Sequence, residues 1–408
     1  MSAAEGERKI RWVAEWMPVL NEVRDRLAAA GTVRGRRLAV ILPVEPKTAY
    51  LAVCLAEAGA EVSVAFQGVM VHDDVAAGLA ARGVDVFARH GSTPEEELAF
   101  FGEVLARRPE VVIDDRADVI RLAHTTHPEV LETLIGASEE TTSGVVALRA
   151  MEADGTLRVP CIAANDARCK YLFDNRYGTG QSAVNAVLDR TNLLLADKDV
   201  VVVGYGWVGK GIATRARGLA ARVTVCEVEP FAALEAYHDG FDVAPLVDAC
   251  ATADVVISAT GVRATVGADA LAALPDGALL ANAGAVDDEI DVAALRAQSV
   301  ATREAREHVE GLTLADGRTL FLVGEGIVVN LSAAEGHPAE IMDLTFAVQA
   351  LSAAYLLEHG RELEPRVHRL PAAIDEEIAR LKLAALGLEI DALTPAQEAF
   401  LQAWEAFG

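Results

Sequence analysis

Three features of the sequence predict an α/β protein with two doubly wound parallel sheets, one inserted within the other, followed by C-terminal helices. β-Branched runs alternate with helically spaced apolar runs over the first 180 residues. A second alternating series begins at "KDVVVVGYG", and after about residue 335 the pattern turns helical.

In the first series, "RRLAVILPV", "AEVSVAF", "VDVFAR" and "EVVIDD" are β-branched runs bounded by Gly, Asp or Pro. Between them, "KTAYLAVCLAEAG" and "EEELAFFGEVLARR" carry apolar residues at helical spacing. Strands that alternate with helices pair in parallel, with the helices covering the sheet. The second series runs through "ARVTVCEVE", "ADVVISAT" and "GALLANAG". "PAEIMDLTFAVQALSAAYLLEHG" and "AAIDEEIARLKLAALG" read as the closing helices. The expected division is an outer domain over 1–180, an inserted domain over 181–334, and the outer domain's return with C-terminal helices over 335–408. The two crossings are expected near 176–182 and 331–337.

Composition narrows the function classes. The chain has 408 residues, 52% of them hydrophobic and only 5% aromatic, so its cores are built from small aliphatic side chains. A net charge of −25 argues against nucleic acid or an anionic membrane as partner. The five cysteines (Cys54, Cys161, Cys169, Cys226 and Cys250) show no CxxC or zinc spacing and read as reduced thiols. "MSAAEGERKIRWVAEW" lacks the apolar core of a leader, and no stretch approaches 18 uninterrupted apolar residues. The expectation is a cytoplasmic protein without a metal.

The strand "KDVVVV" runs directly into "GYGWVGKG", which places Gly204, Gly206 and Gly209 as G-x-G-x-x-G at a strand-to-helix turn. The first glycine permits the turn, the second lets a pyrophosphate approach the backbone, and the third lets helix pack on strand. Such turns also occur without a ligand. Here the next strand ends in Glu227, 23 residues after Gly204, where a carboxylate accepts from both ribose hydroxyls of NAD and repels the 2′-phosphate of NADP. Glu229, two residues on, competes for the role but reads as a loop residue. "SATG" (Ser258 to Gly261) and "NAGA" (Asn282 to Ala285) end later strands, where a Rossmann domain meets the nicotinamide half. NAD is the expected cofactor.

At the entrance to this second unit lies "NDARCKYLFDNRYGTGQS", residues 165–182, with Lys170 and Asp174 four apart and Asn175 next. A surface i,i+4 salt bridge explains the spacing equally well. Glu139-Glu140-Thr141 likewise reads as a capping pattern, and Asp114-Asp115 as loop entry.

Taken together, "GASEETTSG", "NDARCKYLFDNRYGTGQS", "GYGWVGKGIA", "EIDVAAL", "EGIVVNLSAAEGHPAEIMDL" and "LGLEIDALTPAQEAFL" resemble the adenosylhomocysteinase family, in order and over nearly the whole chain. "VEPKTAYLA" and an ending without a Lys/Tyr tail are similar to its shorter archaeal and Thermotoga-type branch. The resemblance implies that NAD oxidises the 3′-hydroxyl of a nucleoside. The ketone then acidifies C4′–H, the 5′ thiolate leaves, water adds, and the ketone is reduced again. It implies Lys170 as base, held close to neutrality, with Asp174 orienting it and Asn175 bridging to the cofactor. Asp115 resembles the acid/base carboxylate at C4′/C5′. Glu140 would hold the 2′-hydroxyl, and Glu45, Lys47, Thr48 and His337 would contact ribose or base. For NAD, the resemblance implies Thr141, Thr142, Ser143, Trp207, Val208, Thr260, Ala283, Gly284 and Asn330 beside the glycines and Glu227. It also implies a homotetramer.

Departures from the family gather at the 5′ end of the nucleoside. Pro43 in "ILPVEPKTA" and Ala285 in "NAGAVDDEID" stand where the family has histidines. Neither side chain moves a proton, and removing one general acid or base costs about 10²–10⁴-fold in rate. "AFQGVMVHDDVA" lacks a polar run and brings in His72, which reads as a surface residue. Arg116 replaces a glycine beside Asp115, either as a bidentate ligand for a carboxylate or phosphate or as an outward-facing loop residue. The groups for 3′-oxidation are kept and those at the 5′ end are changed. The expected activity is therefore a redirected 3′-oxidising enzyme acting on S-adenosylhomocysteine, adenosine or a 5′-modified relative. The alternatives are ordinary hydrolysis through another proton relay, for which His72 is the candidate, and a non-catalytic NAD- and nucleoside-binding protein.

Overall fold

The computed structural model describes residues 2–404. Its strands in chain order are β1 (Arg37–Val40), β2 (Glu61–Ala65), β3 (Asp85–Phe87), β4 (Val111–Asp114), β5 (Gly136–Glu139), β6 (Cys161–Ala163), β7 (Asp199–Val203) and β8 (Arg222–Cys226). They continue as β9 (Asp242–Val243), β10 (Val255–Ser258), β11 (Leu279–Asn282), β12 (Ser299–Arg306), β13 (Val309–Leu314), β14 (Thr319–Val323) and β15 (Val367–His368). Two sheets result, in the orders β15-β6-β5-β4-β1-β2-β3 and β12-β13-β14-β11-β10-β7-β8-β9.

The first sheet is parallel throughout, and its strands are buried runs such as Val111–Asp114, as expected when helices cover both faces. β15 returns from the far end of the chain to pair with β6, Val367 opposite Cys161. The same apolar core takes in Ile10, Leu38, Ile113, Ile162, Phe346 and Ile378. The second sheet is parallel from β9 to β14, with its own cores built from residues 183–333.

At the other edge of the second sheet the structure departs from the parallel reading, because β12, β13 and β14 pair antiparallel. "SVATREAR" is exposed along nearly its whole length and has no apolar face, so periodicity could not reveal β12. The short strands β5, β6 and β15 were also not marked by long β-branched runs.

The helix Ala339–His359 is buried on all sides, with Leu344, Phe346, Val348, Ala350 and Leu356 in the first core. It is long and apolar enough to cross a membrane, but 72% of its most apolar window is buried inside the fold.

Each sheet has one place where strand order reverses, β1/β4 in the first and β7/β10 in the second. Open α/β sheets bind ligands at such switch points, beyond the carboxyl ends of the strands. The segment Tyr171–Thr191 connects the two units and packs on the helix Trp207–Gly218. Backbones meet there, since a Cβ on Gly211 would lie 1.9 Å from the Arg176 carbonyl oxygen, and one on Gly180 would lie 2.6 Å from Gly211.

Candidate active site

The stretch 165–182 folds in an unusual way that makes the site. A short helix Arg168–Lys170 passes into a π-helical segment, Tyr171–Thr179, before α-helix resumes at Gly180. π-Helical turns bring residues five apart onto one face and occur often at functional sites. Lys170 Nζ donates to Asn175 Oδ1 at 2.9 Å and lies 3.2 Å from Asp174 Oδ1 and 3.6 Å from Glu140 Oε1. All but Asn175 are buried, so a surface salt bridge is excluded.

Four residues not foreseen complete the cluster. Asn165 Oδ1 accepts from Lys170 at 3.5 Å and from Asn175 Nδ2 at 3.4 Å. From the helix Ala339–His359, Thr345 donates to Asp174 Oδ2 at 2.9 Å and Gln349 to Glu140 Oε2 at 2.5 Å. Thr345 and Gln349 are polar residues four apart in an apolar helix, a signal that the sequence did carry. Thr179 Oγ1 meets His337 Nε2 at 2.9 Å, while His337 Nδ1 lies 3.3 Å from Asp174 Oδ2.

Electrostatics corrects one expectation. Burial alone would lower the Lys170 pKa, but Asp174 and Glu140 reverse this and hold it above its ordinary value. The lysine is thus protonated in this arrangement rather than close to neutrality. Burial works against an ionised Asp174 too, yet Lys170 and His337 keep its pKa well below the usual carboxylate range. Glu140 is pushed up to about 8 by burial, against the pull of Lys170 and with added repulsion from Asp174. Within the cluster, Lys170 and Asp174 are thus held towards their charged forms and Glu140 towards its neutral one.

The neighbouring acids divide into structural and open ones. Asp114 accepts from the backbone N–H of Ile120 at 2.9 Å, anchoring the helix Asp118–Thr125. Glu139 accepts from Arg116 N, Ala117 N and both donors of Thr141 at 2.8–3.0 Å. Asp115, by contrast, is buried with Oδ1 unpartnered, and burial raises its pKa against the opposing charge of Arg116. Thr141 caps the helix Thr142–Ala153, with Ser143 Oγ 3.4 Å from its hydroxyl and Thr142 exposed.

On the side of β1, Glu45 caps the helix Pro46–Glu57, accepting from Lys47 N at 3.1 Å and Thr48 N at 3.0 Å. Lys47 pairs with Glu45 at 2.5 Å and donates to the Glu335 carbonyl at 2.6 Å, tying this helix to the second crossing. His72 donates its backbone N–H to Val44 O at 2.9 Å, one residue along the chain from Pro43.

The glycine turn after β7 is shaped for a dinucleotide. Gly204 has φ +93°, a conformation that favours glycine, and a Cβ on Gly209 would lie 1.9 Å from Gly204 O. A Cβ on Gly206 meets no protein atom within 4 Å, so open space lies above the start of the helix Trp207–Gly218. A phosphate belongs in such a place. Trp207 stacks on Tyr171 at 5.2 Å, with Val208 beside it in the first turn of the helix. Glu227 follows β8 directly and accepts from Tyr205 N at 2.6 Å, so the carboxylate lies against the glycine turn. Glu229 caps the helix Pro230–His238 instead. Asn330 is buried with Oδ1 unpartnered. These residues fit NAD.

A fifth unforeseen residue organises the nicotinamide side. Glu289 is fully buried and accepts from Ser258 Oγ, Thr260 N, Thr260 Oγ1 and Gly261 N at 2.6–2.9 Å. It also requires Gly284, where a Cβ would lie 1.7 Å from Glu289 Oε1. Ala283 and Gly284 are thereby held at the end of β11, with half-buried Ala285 following.

Arg116 is neither outward-facing nor free. Its φ of +59° is followed by +55° at Ala117, and left-handed backbone costs a non-glycine residue roughly 1–2 kcal/mol. Its guanidinium lies 3.2 Å from both Asp118 Oδ2 and Asp287 Oδ2. Both edges that could grip an anion bidentately are thus taken by carboxylates.

Comparisons with known proteins show the family. A family model for S-adenosyl-L-homocysteine hydrolase matches residues 1–128, and one for the NAD binding domain of S-adenosyl-L-homocysteine hydrolase matches 175–336. An adenosylhomocysteinase of Thermococcus kodakarensis is 48% identical over 404 residues, 99% of this chain and 96% of the relative. One from Thermotoga maritima is 47% identical over 401 residues, 98% and 99% of the two chains. An S-inosyl-L-homocysteine hydrolase of Methanocaldococcus jannaschii is 45% identical over 401 residues, 98% and 96% of the two.

Proposed function

Because the chain belongs to the S-adenosyl-L-homocysteine hydrolase family, and is an NAD-using enzyme of that kind, we propose that it oxidises an adenosine-type nucleoside at 3′ and has been redirected at 5′. In this reading the ketone drives elimination or addition at C4′/C5′, with a 5′ partner other than homocysteine and water.

One observation carries the reading. Lys170, Asp174, Asn175 and Glu140 converge within 3.6 Å, while Pro43 and Ala285, which stand where the resemblance expects histidines, offer no titratable side chain. Loss of function by drift would scatter changes over both halves.

The chain's own residues have distinct tasks. Lys170 in its neutral form takes the proton of the 3′-hydroxyl, and Asp174 holds the ammonium so formed in register. Thr345 and His337 fix Asp174 in turn. Glu140, neutral and held by Gln349, donates to or accepts from the 2′-hydroxyl. Asp115 moves the C4′ proton, a task suited to a buried carboxylate with one unpartnered oxygen. When bound, NAD supplies a hydride acceptor for C3′ and a positive ring charge that favours the neutral form of a nearby lysine. The glycine turn, Glu227, Thr141, Thr142, Ser143, Thr260 and Asn330 would hold it.

A second reading rests on His72, whose backbone N–H donates to the carbonyl of Val44, the residue after Pro43. Its imidazole would replace the missing relay, and S-adenosylhomocysteine would be hydrolysed to adenosine and homocysteine. A homotetramer in the cytoplasm completes the proposal. Exposed Leu388, Ile390, Leu401 and Trp404 are surface that an assembly would cover, and light scattering of the purified protein tests it.

The deciding experiment mixes NAD-loaded protein with S-adenosylhomocysteine, following NADH by absorbance and thiol with a colorimetric reagent. NADH without sustained thiol release supports redirection. Steady release of thiol and adenosine supports the second reading instead. Absence of NADH with every nucleoside would leave a non-catalytic binding protein and overturn both.

A further inference from the structure

The reaction proposed above leaves Arg116 without a task, although the fold spends strain to keep it. Its left-handed backbone is locked by Arg116 N donating to Glu139 Oε1 at 3.0 Å and Thr141 Oγ1 at 3.1 Å, and by Ala117 N donating to Glu139 Oε2 at 2.9 Å. A glycine would occupy that conformation without cost. Strain of this kind persists where the surrounding structure fixes it, as these three hydrogen bonds do.

The side chain crosses the cleft. It starts in the loop after β4 of the first sheet, and its Nη1 reaches Asp287 Oδ2, in the loop after β11 of the second, at 3.2 Å. Nη2 is 3.2 Å from Asp118 Oδ2, an oxygen that also accepts from Gln67 at 3.1 Å. Nε is buried and unpartnered. The guanidinium therefore joins the carboxyl ends of the two sheets. It does so next in chain to Asp115 and two residues from Ala285, on the side of the cleft assigned to the 5′ carbon.

Two physical consequences follow. A six-heavy-atom extension beyond Cβ takes up cleft volume that a glycine would leave open. Its charge is also spent, because Asp118 and Asp287 occupy both edges and Asp118 is shared with Arg121. A carboxylate on the substrate would meet these acids with no free cationic edge to compensate.

We propose that Arg116 is a specificity-determining residue that closes the 5′ end of the cleft and selects nucleosides with a short, uncharged 5′ substituent, a hydroxyl or a methyl thioether, over those with an amino-acid thioether. This rests on the reading that the nucleoside lies with its ribose at Lys170 and its 5′ carbon at Asp115.

The test is calorimetric titration of the NAD-loaded protein with adenosine, 5′-methylthioadenosine and S-adenosylhomocysteine, with NADH formation recorded in parallel. The native protein should bind 5′-methylthioadenosine about tenfold or more tightly than S-adenosylhomocysteine. Arg116→Gly, which also relieves the backbone, should shrink that ratio about tenfold. Asp287→Asn, on an exposed loop, frees one guanidinium edge and should move the ratio in the same direction, which keeps the test open if the first variant does not fold. An unchanged ratio in both variants overturns the proposal, as does a native preference for S-adenosylhomocysteine or failure to bind all three. Binding ratios that behave as expected without any NADH would overturn the reaction reading and leave the assignment of Arg116 standing.

Discussion

Lys170 and Asn175 are five residues apart, and their side chains meet at 2.9 Å because the chain between them is π-helical. Asp174, one residue earlier, stays within 3.2 Å of the same ammonium. In an α-helix residues i and i+5 diverge, and the amide would be lost from the cluster.

Lys170→Ala should reduce substrate-driven NADH formation by about 10²–10⁴-fold, the usual contribution of a positioned base. The rise in absorbance after mixing NAD-loaded variant with nucleoside measures it. Full-rate NADH formation would remove Lys170 from the chemistry.

The two glycines of the turn after β7 should respond differently to added bulk. Gly206→Val projects into open space, so the apoprotein should melt as the native one does while NAD binding is lost. Gly209→Ala drives a methyl into the Gly204 carbonyl and should destabilise the apoprotein by about 1–3 kcal/mol. Thermal melts with and without NAD separate the two.

Stability should fall as pH rises from about 4.5 to about 8. Glu140 holds its proton to about 8 in the fold against 4.5 as its ordinary value, and Asp114 to about 8 against 3.8, burial being the main cause of both. A folded-state pKa above the unfolded one gives stability that is complete below the unfolded value and is lost as pH rises through the folded one. Melting temperatures should therefore decline between about pH 4.5 and 8. Glu140→Gln and Asp114→Asn should each flatten that decline. A native protein whose melting temperature climbs over this range would show that these groups ionise freely.

Pro43→His combined with Ala285→His should raise thiol release from S-adenosylhomocysteine by about tenfold or more, since each lost acid or base is worth about 10²–10⁴. Thiol titration under saturating substrate measures it. No gain would mean that the cleft is rebuilt beyond those two positions.

Much of this protein was legible in the residues themselves. β-Branched runs marked β1, β2, β4, β7, β8 and β10, because a strand buried on both faces must be apolar along its length. Gly204, Gly206 and Gly209 marked the dinucleotide turn, because only glycine tolerates that conformation and those close approaches. The motif order marked the family. The sequence could not show that Lys170 stays protonated, since its pKa depends on Glu140, which is 30 residues away in the chain. Nor could it bring in Thr345 and Gln349, carried to the site by a helix that follows the whole second unit. Glu289 opens the motif "EIDVAAL", but only the fold showed that it is buried among four donors. Arg116 could face either way until the two sheets were set opposite each other with Asp287 in reach. Local chemistry, which depends on neighbours along the chain, was determined by the sequence alone. Charge state, second-layer support and the closing of the cleft depend on groups far apart in sequence, and only the tertiary structure decided them.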